Sequence, residues 1–516
     1  MKIMTTLLKI DENRCNGCGL CVAECPKEAI SYITQKTVRI EPECVGCRIC
    51  FQVCPRKAVQ IGSPPNGLTT CDNCPVHCQV RPNDLGACQR YRNINGAMQR
   101  VVPLHVFDTQ HTRINPIDNL PTRPLITGHG AGTNRTLAPA RIIAEDVVDG
   151  VDVVTAVTEA VLSFSGLKVK LDMNNYIGDE GRPIKRGPRT VGYVTSSEYG
   201  SRTLSVGGVG LLKSDNGFSA ARVMTDIANK KRVTLKVKKG SEIEFTVNQV
   251  PVVDGQSVER TSIGCGSSIG KLFSHHLIKL VDECIMLDPG VTGQMSCHHA
   301  SVPQVKPTGI TVAGKMSTPG RYMVPPGSGL AGTVIETARE AIAHIDKNVA
   351  WPGLRILVTD TMIDNATYLV LDDRREPVEQ PITEELNNML AFMRTYCEQA
   401  KANAVYVGGI GGGVRGALHP DHSPRVMQAI KAGLIKLTAA GQKTYIMPGG
   451  NLVFMVDVGP MPEGCFAWVP TPATVIPIEF SMTKENYNKI CGYSQAVKPL
   501  KQILEEFDHV YLDRED

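Results

Sequence analysis

Residues 15–26 read Cys-Asn-Gly-Cys-Gly-Leu-Cys-Val-Ala-Glu-Cys-Pro, and residues 44–55 read Cys-Val-Gly-Cys-Arg-Ile-Cys-Phe-Gln-Val-Cys-Pro. Both stretches have two residues between the first three cysteines, three residues before the fourth, and a proline directly after it. Thiolates at this spacing ligate [4Fe-4S] clusters, and the fourth cysteine of each run ligates the cluster of the other run. This crossed arrangement predicts one site at Cys15, Cys18, Cys21 and Cys54, and a second site at Cys44, Cys47, Cys50 and Cys25.

Two all-cysteine zinc sites are the alternative for these eight thiols. Zinc modules rarely use three cysteines at this spacing with a proline after the fourth. The repeat is instead typical of a bacterial two-cluster ferredoxin. We therefore predict that residues 1–62 form a two-cluster ferredoxin-like module that transfers single electrons.

The size and charge of the chain limit the other functions. At 516 residues the chain is far longer than a ferredoxin, and its composition (42% hydrophobic, 21% charged) is that of a globular protein. The net charge of +4 comes without a basic block, which argues against nucleic acid as a partner. No apolar stretch reaches the roughly 18 residues that a membrane helix needs, and the first residues lack the pattern of a signal peptide.

The use of cysteine indicates a reducing compartment. Of 18 cysteines, 12 fall within residues 15–88 at metal-ligand spacings rather than as a disulfide framework. Free thiols and low-potential clusters persist in a reducing compartment. We therefore expect a cytoplasmic protein of an organism or condition with little oxygen.

A third cysteine group follows the ferredoxin-like module. Residues 63–105 contain a Pro- and Gly-rich linker and then four cysteines within 18 positions: Cys71, Cys74, Cys78 and Cys88. A third cubane cluster, a [2Fe-2S] cluster and zinc all fit this spacing, as do free or structural thiols. His77 could replace one of the ligands.

The rest of the chain divides by pattern into three segments. Residues 106–260 carry short β-branched runs and predict a β-rich domain, with a hairpin at 233–247 and one helix at about 217–229. Residues 261–345 read as a glycine-rich connecting region. Residues 346–516 alternate strands with helices, which predicts an α/β substrate domain with a largely parallel sheet. The fold class is therefore a mixed α+β and α/β multidomain protein.

Within residues 346–516, Thr383 is expected to cap a helix that runs to about 400, and a second helix is expected at about 424–440. The predicted strands of this segment are 354–359, 368–371, 405–407, 444–447, 452–456 and 474–478.

Two glycine-rich loops carry candidate binding or catalytic groups. Glycines bring backbone N–H groups close to an anion, and the first loop, 127–135, combines them with an arginine. The second loop, 408–422, follows a strand, and Pro420 interrupts the helix that a dinucleotide-binding motif needs. The candidate residues for binding cofactor or substrate are Gly128, Gly130, Gly132, Arg135, Gly411, Gly413 and Arg415. The candidate proton donors or positioning groups are His419, Asp421 and His422.

A third glycine-rich segment, 264–276, is also expected to be a loop; it contains Gly264, Lys271 and a His275-His276 pair, and Cys297-His298-His299 follows. The spacing of Gly266, Gly270 and Lys271 is one residue short of a phosphate-binding loop, and leucine stands where the hydroxyl residue belongs. Metal, a substrate or flavin pocket, and ordinary structure are the three interpretations, and Lys271 is the candidate binding residue.

The chain resembles the 6-hydroxynicotinate reductase family. The resemblance rests on the double cysteine motif, on residues 71–78 (Cys-Asp-Asn-Cys-Pro-Val-His-Cys) with 86–91 (Gly-Ala-Cys-Gln-Arg-Tyr), and on 192–195 (Gly-Tyr-Val-Thr) with 207–212 (Gly-Gly-Val-Gly-Leu-Leu). It implies a ferredoxin-dependent reduction of 6-hydroxynicotinate to 1,4,5,6-tetrahydro-6-oxonicotinate, with a flavin (FAD or FMN) beside the iron–sulfur centres. A flavin converts single electrons into a hydride equivalent.

Three other functions stay open on the sequence alone. They are a reductase of another activated heteroaromatic or enoyl substrate, an electron-transfer subunit of a larger complex, and a hydrolase or lyase with an accessory ferredoxin domain. The expected partners are ferredoxin or a similar low-potential donor, a small heteroaromatic carboxylate and a second copy of the chain.

Overall fold

The computed structural model describes residues 7–72, 76–101, 143–161, 165–171, 176–196, 202–258, 260, 264–297, 305–397, 401–409, 425, 428–429, 432–440, 442–447, 453–461, 463–469 and 472–506. The predicted loop at 127–135, residues 410–422 of the second loop, and Cys74 lie outside these ranges. In the part of the chain that is described, every helix is too short or too polar to cross a lipid bilayer.

The N-terminal module repeats one unit of strand, cysteine loop and short helix. Its elements are β1 (Leu8–Ile10), α1 (Leu20–Ala23), β2 (Ile30–Thr34), β3 (Thr37–Ile40), α2 (Ile49–Val53) and β4 (Val59–Ile61). β1 pairs with β4 and β2 with β3, both antiparallel. The two halves share one small core in which Leu8, Val38 and Val59 are buried.

Two short hairpins follow the module. They are formed by β5 (Thr69–Thr70), β6 (Gln79–Val80), β7 (Tyr91–Ile94) and β8 (Ala97–Arg100). Their apolar side chains Val80, Ala87 and Tyr91 pack together with Val45, which lies in the second cysteine loop. The hairpins are therefore attached to the module by a shared core.

The predicted β-rich segment is confirmed as strand-rich. Its elements are β9 (Ile143–Val148), β10 (Val151–Val161), β11 (Gly166–Lys170), β12 (Pro183–Arg186), β13 (Arg189–Ser196), β14 (Arg202–Gly207), α3 (Val209–Leu212), α4 (Gly217–Ala228), β15 (Val233–Val237), β16 (Glu242–Phe245), β17 (Val252–Val253) and β18 (Gln256–Ser257). The predicted hairpin is β15–β16, with the side chains of Val233, Leu235 and Val237 buried on one face. The predicted helix is α4.

The predicted connecting region consists of regular elements. Residues 266–394 form α5 (Gly266–Leu277), β19 (Glu283–Leu287), β20 (Thr292–Gln294), β21 (Ile310–Val312), β22 (Lys315–Thr318), β23 (Arg321–Met323), β24 (Ile342–Ile345), β25 (Arg355–Asp360), β26 (Ala366–Leu371), β27 (Pro377–Gln380) and α6 (Glu384–Arg394). Short 3-10 helices lie at Leu330–Gly332 and Ala338–Ala341. Thr383 caps α6 as predicted, because its hydroxyl accepts a hydrogen bond from the N–H of Leu386.

The last part of the chain is again mostly strand. It contains β28 (Asn403–Gly409), β29 (Lys436–Ala439), β30 (Gln442–Lys443), β31 (Tyr445–Met447), β32 (Val453–Asp457), β33 (Ala467–Val469), β34 (Ala473–Thr483), α7 (Lys484–Lys489), β35 (Val497–Pro499) and α8 (Leu500–Glu506), with a 3-10 helix at Ser494–Ala496.

The described strands of the body form three large sheets. One has eleven strands in the order β18-β17-β16-β15-β12-β13-β14-β11-β28-β32-β31. A second has the order β30-β29-β34-β10-β9-β35, with β33 also on β34, and α4 packs against both of these sheets. Ten of the twelve residues of α4 are buried, so this helix fills the layer between them. Both sheets combine strands from 106–260 with strands from 346–516, contrary to the predicted division into separate domains.

The third sheet has the order β22-β23-β20-β19-β25-β26-β27. Alternate residues of β25 serve two cores, because successive side chains of a strand point to opposite faces. Leu357 packs with residues of α5 and α6, whereas Ile356 and Val358 pack with residues of the 310–345 region. This sheet joins the predicted connecting region to the start of the predicted C-terminal domain.

The prediction of a largely parallel C-terminal sheet is wrong. Among the described strand pairs, β19 with β25 and β9 with β35 are parallel, and the pairs formed within residues 346–506 are antiparallel. A parallel pair needs a crossover of a dozen or more residues between its strands. Only residues 361–365 separate β25 from β26, which is a hairpin connection.

The predicted helix at 424–440 is wrong in its second half, where β29 pairs with β34. Gly433 has a φ of 71°, in the left-handed region, and the N–H of Leu434 bonds to the carbonyl oxygen of Ala429. A glycine in this conformation ends a helix. The chain then turns into the strand that begins at Lys436.

Candidate electron-transfer site

Two cavities in the N-terminal module collect the eight cysteines in the predicted crossed arrangement. The empty space in the two cavities, part of which is open to solvent, is about 300 Å³ in the first and about 320 Å³ in the second. The cysteines that line the first cavity are Cys15, Cys18, Cys21 and Cys54. Those that line the second are Cys25, Cys44, Cys47 and Cys50. The remaining lining is largely aliphatic, which suits a metal–sulfur cluster held by thiolates.

Backbone conformation curls each loop around its cavity. Gly17 and Gly46 have φ values of 68° and 67°, in the left-handed region that glycine adopts without strain. At Gly17 a side chain is also excluded by space, since a Cβ there would lie 2.3 Å from the carbonyl oxygen of Gln35. The glycines therefore allow three cysteines of one short loop to face the same point.

The fourth cysteine of each run is held in the same way in both halves. The N–H of Ala29 donates to Cys25 Sγ at 3.3 Å, and the N–H of Ala58 donates to Cys54 Sγ at 3.3 Å. The N–H of Gly46 also donates to Cys44 Sγ at 3.4 Å. Hydrogen bonds to ligating sulfurs tune the reduction potential of a cluster.

The cysteines of each cavity also perturb one another. Burial, together with the neighbouring thiols Cys18, Cys54 and Cys15, raises the pKa of Cys21 to about 11. Burial raises the pKa of Cys47 to about 12. Thiols with such pKa values stay protonated at neutral pH, and coordination to iron replaces those protons. A bound cluster would hold these cysteines as thiolates.

The third cysteine group lies against the second cavity. Cys71 and Cys78 are buried, and the N–H of Cys71 donates to the carbonyl oxygen of Cys78 at 2.8 Å. Cys88 packs in the same small core as these two residues. The structure therefore brings together three of the four predicted cysteines, and Cys74 lies outside the described residues. The ring of His77 is exposed and lies 3.0 Å from Asp72.

Two buried polar contacts join this region to the body. The carboxylate of Glu24, next to Cys25, accepts a hydrogen bond from the hydroxyl of Ser219 on α4. Arg90 donates from Nη2 to the carbonyl oxygen of Cys465 at 2.6 Å. Burial raises the pKa of Glu24, and the Ser219 hydroxyl opposes that shift. The sequence offers one indication that Glu24 has a special role: it precedes the fourth cysteine of the first run, whereas the apolar Val53 precedes the fourth cysteine of the second run.

All the candidate residues of the two glycine-rich loops lie in parts of the chain that the structure does not describe. Gly128, Gly130, Gly132 and Arg135 lie outside the described residues, as do Gly411, Gly413, Arg415, His419, Asp421 and His422. The second loop does leave from the end of β28, at Gly409, as predicted. In the eleven-stranded sheet this end lies next to the start of β11, and the start of β11 pairs with the end of β14 at Gly207.

The third candidate segment is a helix and not a loop. Residues from Gly266 onward form α5, on which Lys271 and the His275-His276 pair are exposed. Cys297 is also exposed, and His298 and His299 lie outside the described residues. A binding role for Lys271 stays a prediction.

The strand that follows α5 carries a buried carboxylate that the sequence analysis did not identify. Glu283 on β19 is fully buried and accepts hydrogen bonds from the side chains of Gln294, Ser296 and Thr308. The N–H groups of Cys284 and Ser296 also donate to it. Its partners are donors without charge, so burial raises the pKa of Glu283.

The module and the large body together define the class of this protein. Residues 8–61 match the family model of the 4Fe-4S dicluster domain. The chain is accordingly an iron–sulfur protein with two [4Fe-4S] clusters in its N-terminal module.

A full-length comparison identifies the family. The 6-hydroxynicotinate reductase of Eubacterium barkeri is 38% identical over 505 residues, which cover 96% of this chain and 100% of the relative. The chain therefore belongs to the 6-hydroxynicotinate reductase family, and it is an oxidoreductase. No solved structure matches it.

Proposed function

We propose that this protein reduces 6-hydroxynicotinate to 1,4,5,6-tetrahydro-6-oxonicotinate with electrons from ferredoxin or a similar low-potential donor. The observation that carries the proposal is the 38% identity, over essentially the whole of both chains, to a protein named 6-hydroxynicotinate reductase. The two cysteine cavities support the use of single electrons.

The reaction adds two electrons and two protons across the C4=C5 bond of the ring. This bond is conjugated to the C6 carbonyl, so a hydride equivalent is expected at C4 and a proton at C5. Negative charge develops on the C6 oxygen, and a hydrogen-bond donor or cation placed there would stabilise it. A flavin, either FAD or FMN, is part of the proposal because it converts single electrons into a hydride equivalent when bound.

Cys15, Cys18, Cys21 and Cys54 are the proposed ligands of one cluster, and Cys25, Cys44, Cys47 and Cys50 are those of the other. The lining of the two cavities supports this assignment. We also assign Cys71, Cys74, Cys78 and Cys88 to a third centre, either a further cluster or zinc. The common core of Cys71, Cys78 and Cys88 supports that assignment.

The loop that begins at Gly408 is the proposed substrate site. Arg415 would bind the ring carboxylate through two parallel hydrogen bonds, and His419 or His422, with Asp421, would supply the proton. Support comes from Tyr406 on the preceding strand, whose ring lies 5.1 Å from that of Phe466. Phe466 follows Cys465, the residue that Arg90 contacts, so a continuous set of contacts connects the third cysteine group with the strand that leads to this loop.

The test is a single-turnover experiment with anaerobically purified protein. Reduced ferredoxin and 6-hydroxynicotinate are mixed with the protein, and the product is analysed by mass spectrometry for a gain of two hydrogens. Iron, sulfide, zinc and flavin are quantified in the same sample. Reduction of another heteroaromatic or enoyl compound, without turnover of 6-hydroxynicotinate, would contradict the proposed substrate.

A further inference from the structure

Equivalent positions of the two cysteine runs differ in exposure. Around the first cavity, Asn16 and Cys18 are exposed and Leu20 is half-buried. Their equivalents in the second run are Val45, Cys47 and Ile49: Val45 and Ile49 are buried to 2% and 1% exposure, and Cys47 is half-buried. Two loops with the same fold thus face different surroundings.

The residues after the fourth cysteines show the same difference. Pro55 and Arg56, which follow Cys54 of the first cavity, are exposed. Pro26 and Lys27, which follow Cys25 of the second cavity, are buried and half-buried. The side of the module that holds the first cavity is open, and the side that holds the second is covered.

What covers the second cavity is the third cysteine region. The N–H of Gln79, the residue after Cys78, donates to the carbonyl oxygen of Val45 at 3.0 Å. Lys27 forms an ion pair with Asp84 at 2.7 Å, and Gln89 donates to the carbonyl oxygen of Pro26 at 2.7 Å. Ile49 belongs to the large core of the body, and Cys47 packs against both cores.

From this asymmetry we infer that electrons enter the module at the first cavity, from an acidic one-electron donor protein, and leave it through the second cavity toward Cys78. The inference deepens the proposed function, on which it rests, by fixing the direction of transfer. Each encounter oxidises the donor by one electron and reduces the module by one electron, and no bond is formed or broken.

The chemistry of the open side suits an acidic donor. Arg56 lines the first cavity and is exposed, and the exposed Lys36 adjoins Gly17 of the same cysteine loop. Positive charge beside an exposed redox centre attracts a negatively charged partner and speeds its association. On the covered side the equivalent of Arg56 is Lys27, which is half-buried and paired with Asp84.

The connection through Val45 and Gln79 is short in covalent terms. The carbonyl oxygen of Val45, in the second cysteine loop, is joined by one hydrogen bond to the N–H of Gln79, and Gln79 is bonded directly to Cys78. The first loop has no equivalent contact with the described part of the third cysteine region, because Asn16 in place of Val45 is exposed.

The test compares substitutions at equivalent positions of the two cysteine runs, so that one run serves as the control for the other. Arg56→Gln and Lys27→Gln neutralise equivalent positions, and Lys315→Gln neutralises an exposed residue on a distant sheet. Stopped-flow absorbance follows the reduction of the clusters in each holoprotein by a reduced acidic ferredoxin, and in parallel by dithionite. Iron content and the EPR spectrum of each variant confirm that its clusters are intact.

We expect Arg56→Gln to lower the second-order rate constant with ferredoxin roughly 3- to 10-fold at low ionic strength. The difference should shrink at high salt, and the reduction by dithionite should not change. Lys27→Gln and Lys315→Gln should retain the wild-type rate constant with ferredoxin. Lys36→Gln provides a second variant if Arg56→Gln does not assemble. The inference would be overturned if Lys27→Gln lowered the rate constant with ferredoxin while Arg56→Gln and Lys36→Gln did not. It would also be overturned if none of these variants changed that rate constant.

The exit is tested separately, by mixing the pre-reduced protein with 6-hydroxynicotinate and following reoxidation of the clusters. Asp84→Asn, which breaks the ion pair with Lys27, should slow this step by about 2-fold or more, whereas Arg56→Gln should not alter it. Equal reoxidation rates in wild type and Asp84→Asn would contradict the exit through the second cavity. If the wild type itself is not reoxidised, the proposed substrate fails, and the result with ferredoxin still decides where electrons enter.

Discussion

Arg90 donates from its guanidinium Nη2 to the carbonyl oxygen of Cys465 at 2.6 Å, across 375 positions of sequence. Arg90 is only 3% exposed, so this contact is made away from water. It fixes the segment between Cys88 and β7 to the loop that precedes β33. The third cysteine region is therefore held between the module on one side and the body on the other.

Replacing Arg90 with Met should lower the free energy of unfolding by about 1–3 kcal/mol, because the buried carbonyl oxygen of Cys465 loses its donor. The measurement is chemical denaturation followed by tryptophan fluorescence, since Trp468 lies three residues from Cys465. Arg92→Met is the matched control, because Arg92 is exposed on β7. An equal loss of unfolding free energy in the two variants would show that the contact with Cys465 does not contribute specifically to stability.

The parts of the site that were predictable are those with a local cause. The spacing of the cysteines is set by a loop of a few residues, and the repeat within the sequence reveals the crossed arrangement. The β15–β16 hairpin and the capped helix α6 were also predictable, because alternation in 233–247 and the hydroxyl of Thr383 act over short distances.

The parts that were not predictable depend on distant partners. β28 lies between β11 and β32, and nothing near residue 405 indicates a partner at residue 167. Glu24 and Ser219 are 195 positions apart, so their hydrogen bond is visible only after folding. The same holds for Glu283, whose partners Gln294 and Thr308 lie 11 and 25 positions along the chain.

Replacing Cys47 with Ser should abolish ferredoxin-driven turnover, because electrons that enter at the first cavity could not pass the second, and it should leave substrate binding nearly intact. Cys47 lines the second cavity, and a serine hydroxyl is a poorer cluster ligand than a thiolate. Product formation with reduced ferredoxin and calorimetric titration with substrate measure the two properties. Cys491→Ser is the control, because Cys491 lies outside both cavities. Normal ferredoxin-driven turnover in the Cys47 variant would refute the proposed electron path.

Changing Arg415 to Lys should raise the KM for the ring carboxylate with a smaller effect on kcat. A guanidinium binds a carboxylate through two parallel hydrogen bonds, and an ammonium cannot reproduce that planar arrangement. Arg425→Lys is a control of the same chemistry a few residues away, where the guanidinium contacts Cys491. An unchanged KM in the Arg415 variant would remove this residue from the substrate site.

The buried carboxyl group of Glu283 should make stability depend on pH. Its pKa in the folded protein is raised by burial above the ordinary value of 4.5, so the folded state binds the proton more tightly than the unfolded state does. The stability from this group is complete below pH 4.5 and is lost as the pH rises through the folded-state pKa. Glu283→Gln cannot ionise, so the wild type should lose stability relative to this variant as the pH is raised from about 4.5.

The measurement is the difference in the free energy of unfolding between wild type and Glu283→Gln at several pH values from 4.5 to 8. Taking this difference cancels the contributions of other titrating groups that the two proteins share. Glu385→Gln, at an exposed position in the first turn of α6, is measured in parallel as the control substitution. A difference for Glu283→Gln that is independent of pH would show that this carboxyl group titrates alike in the folded and unfolded chains. The network of Gln294, Ser296 and Thr308 would then be sufficient to offset its burial.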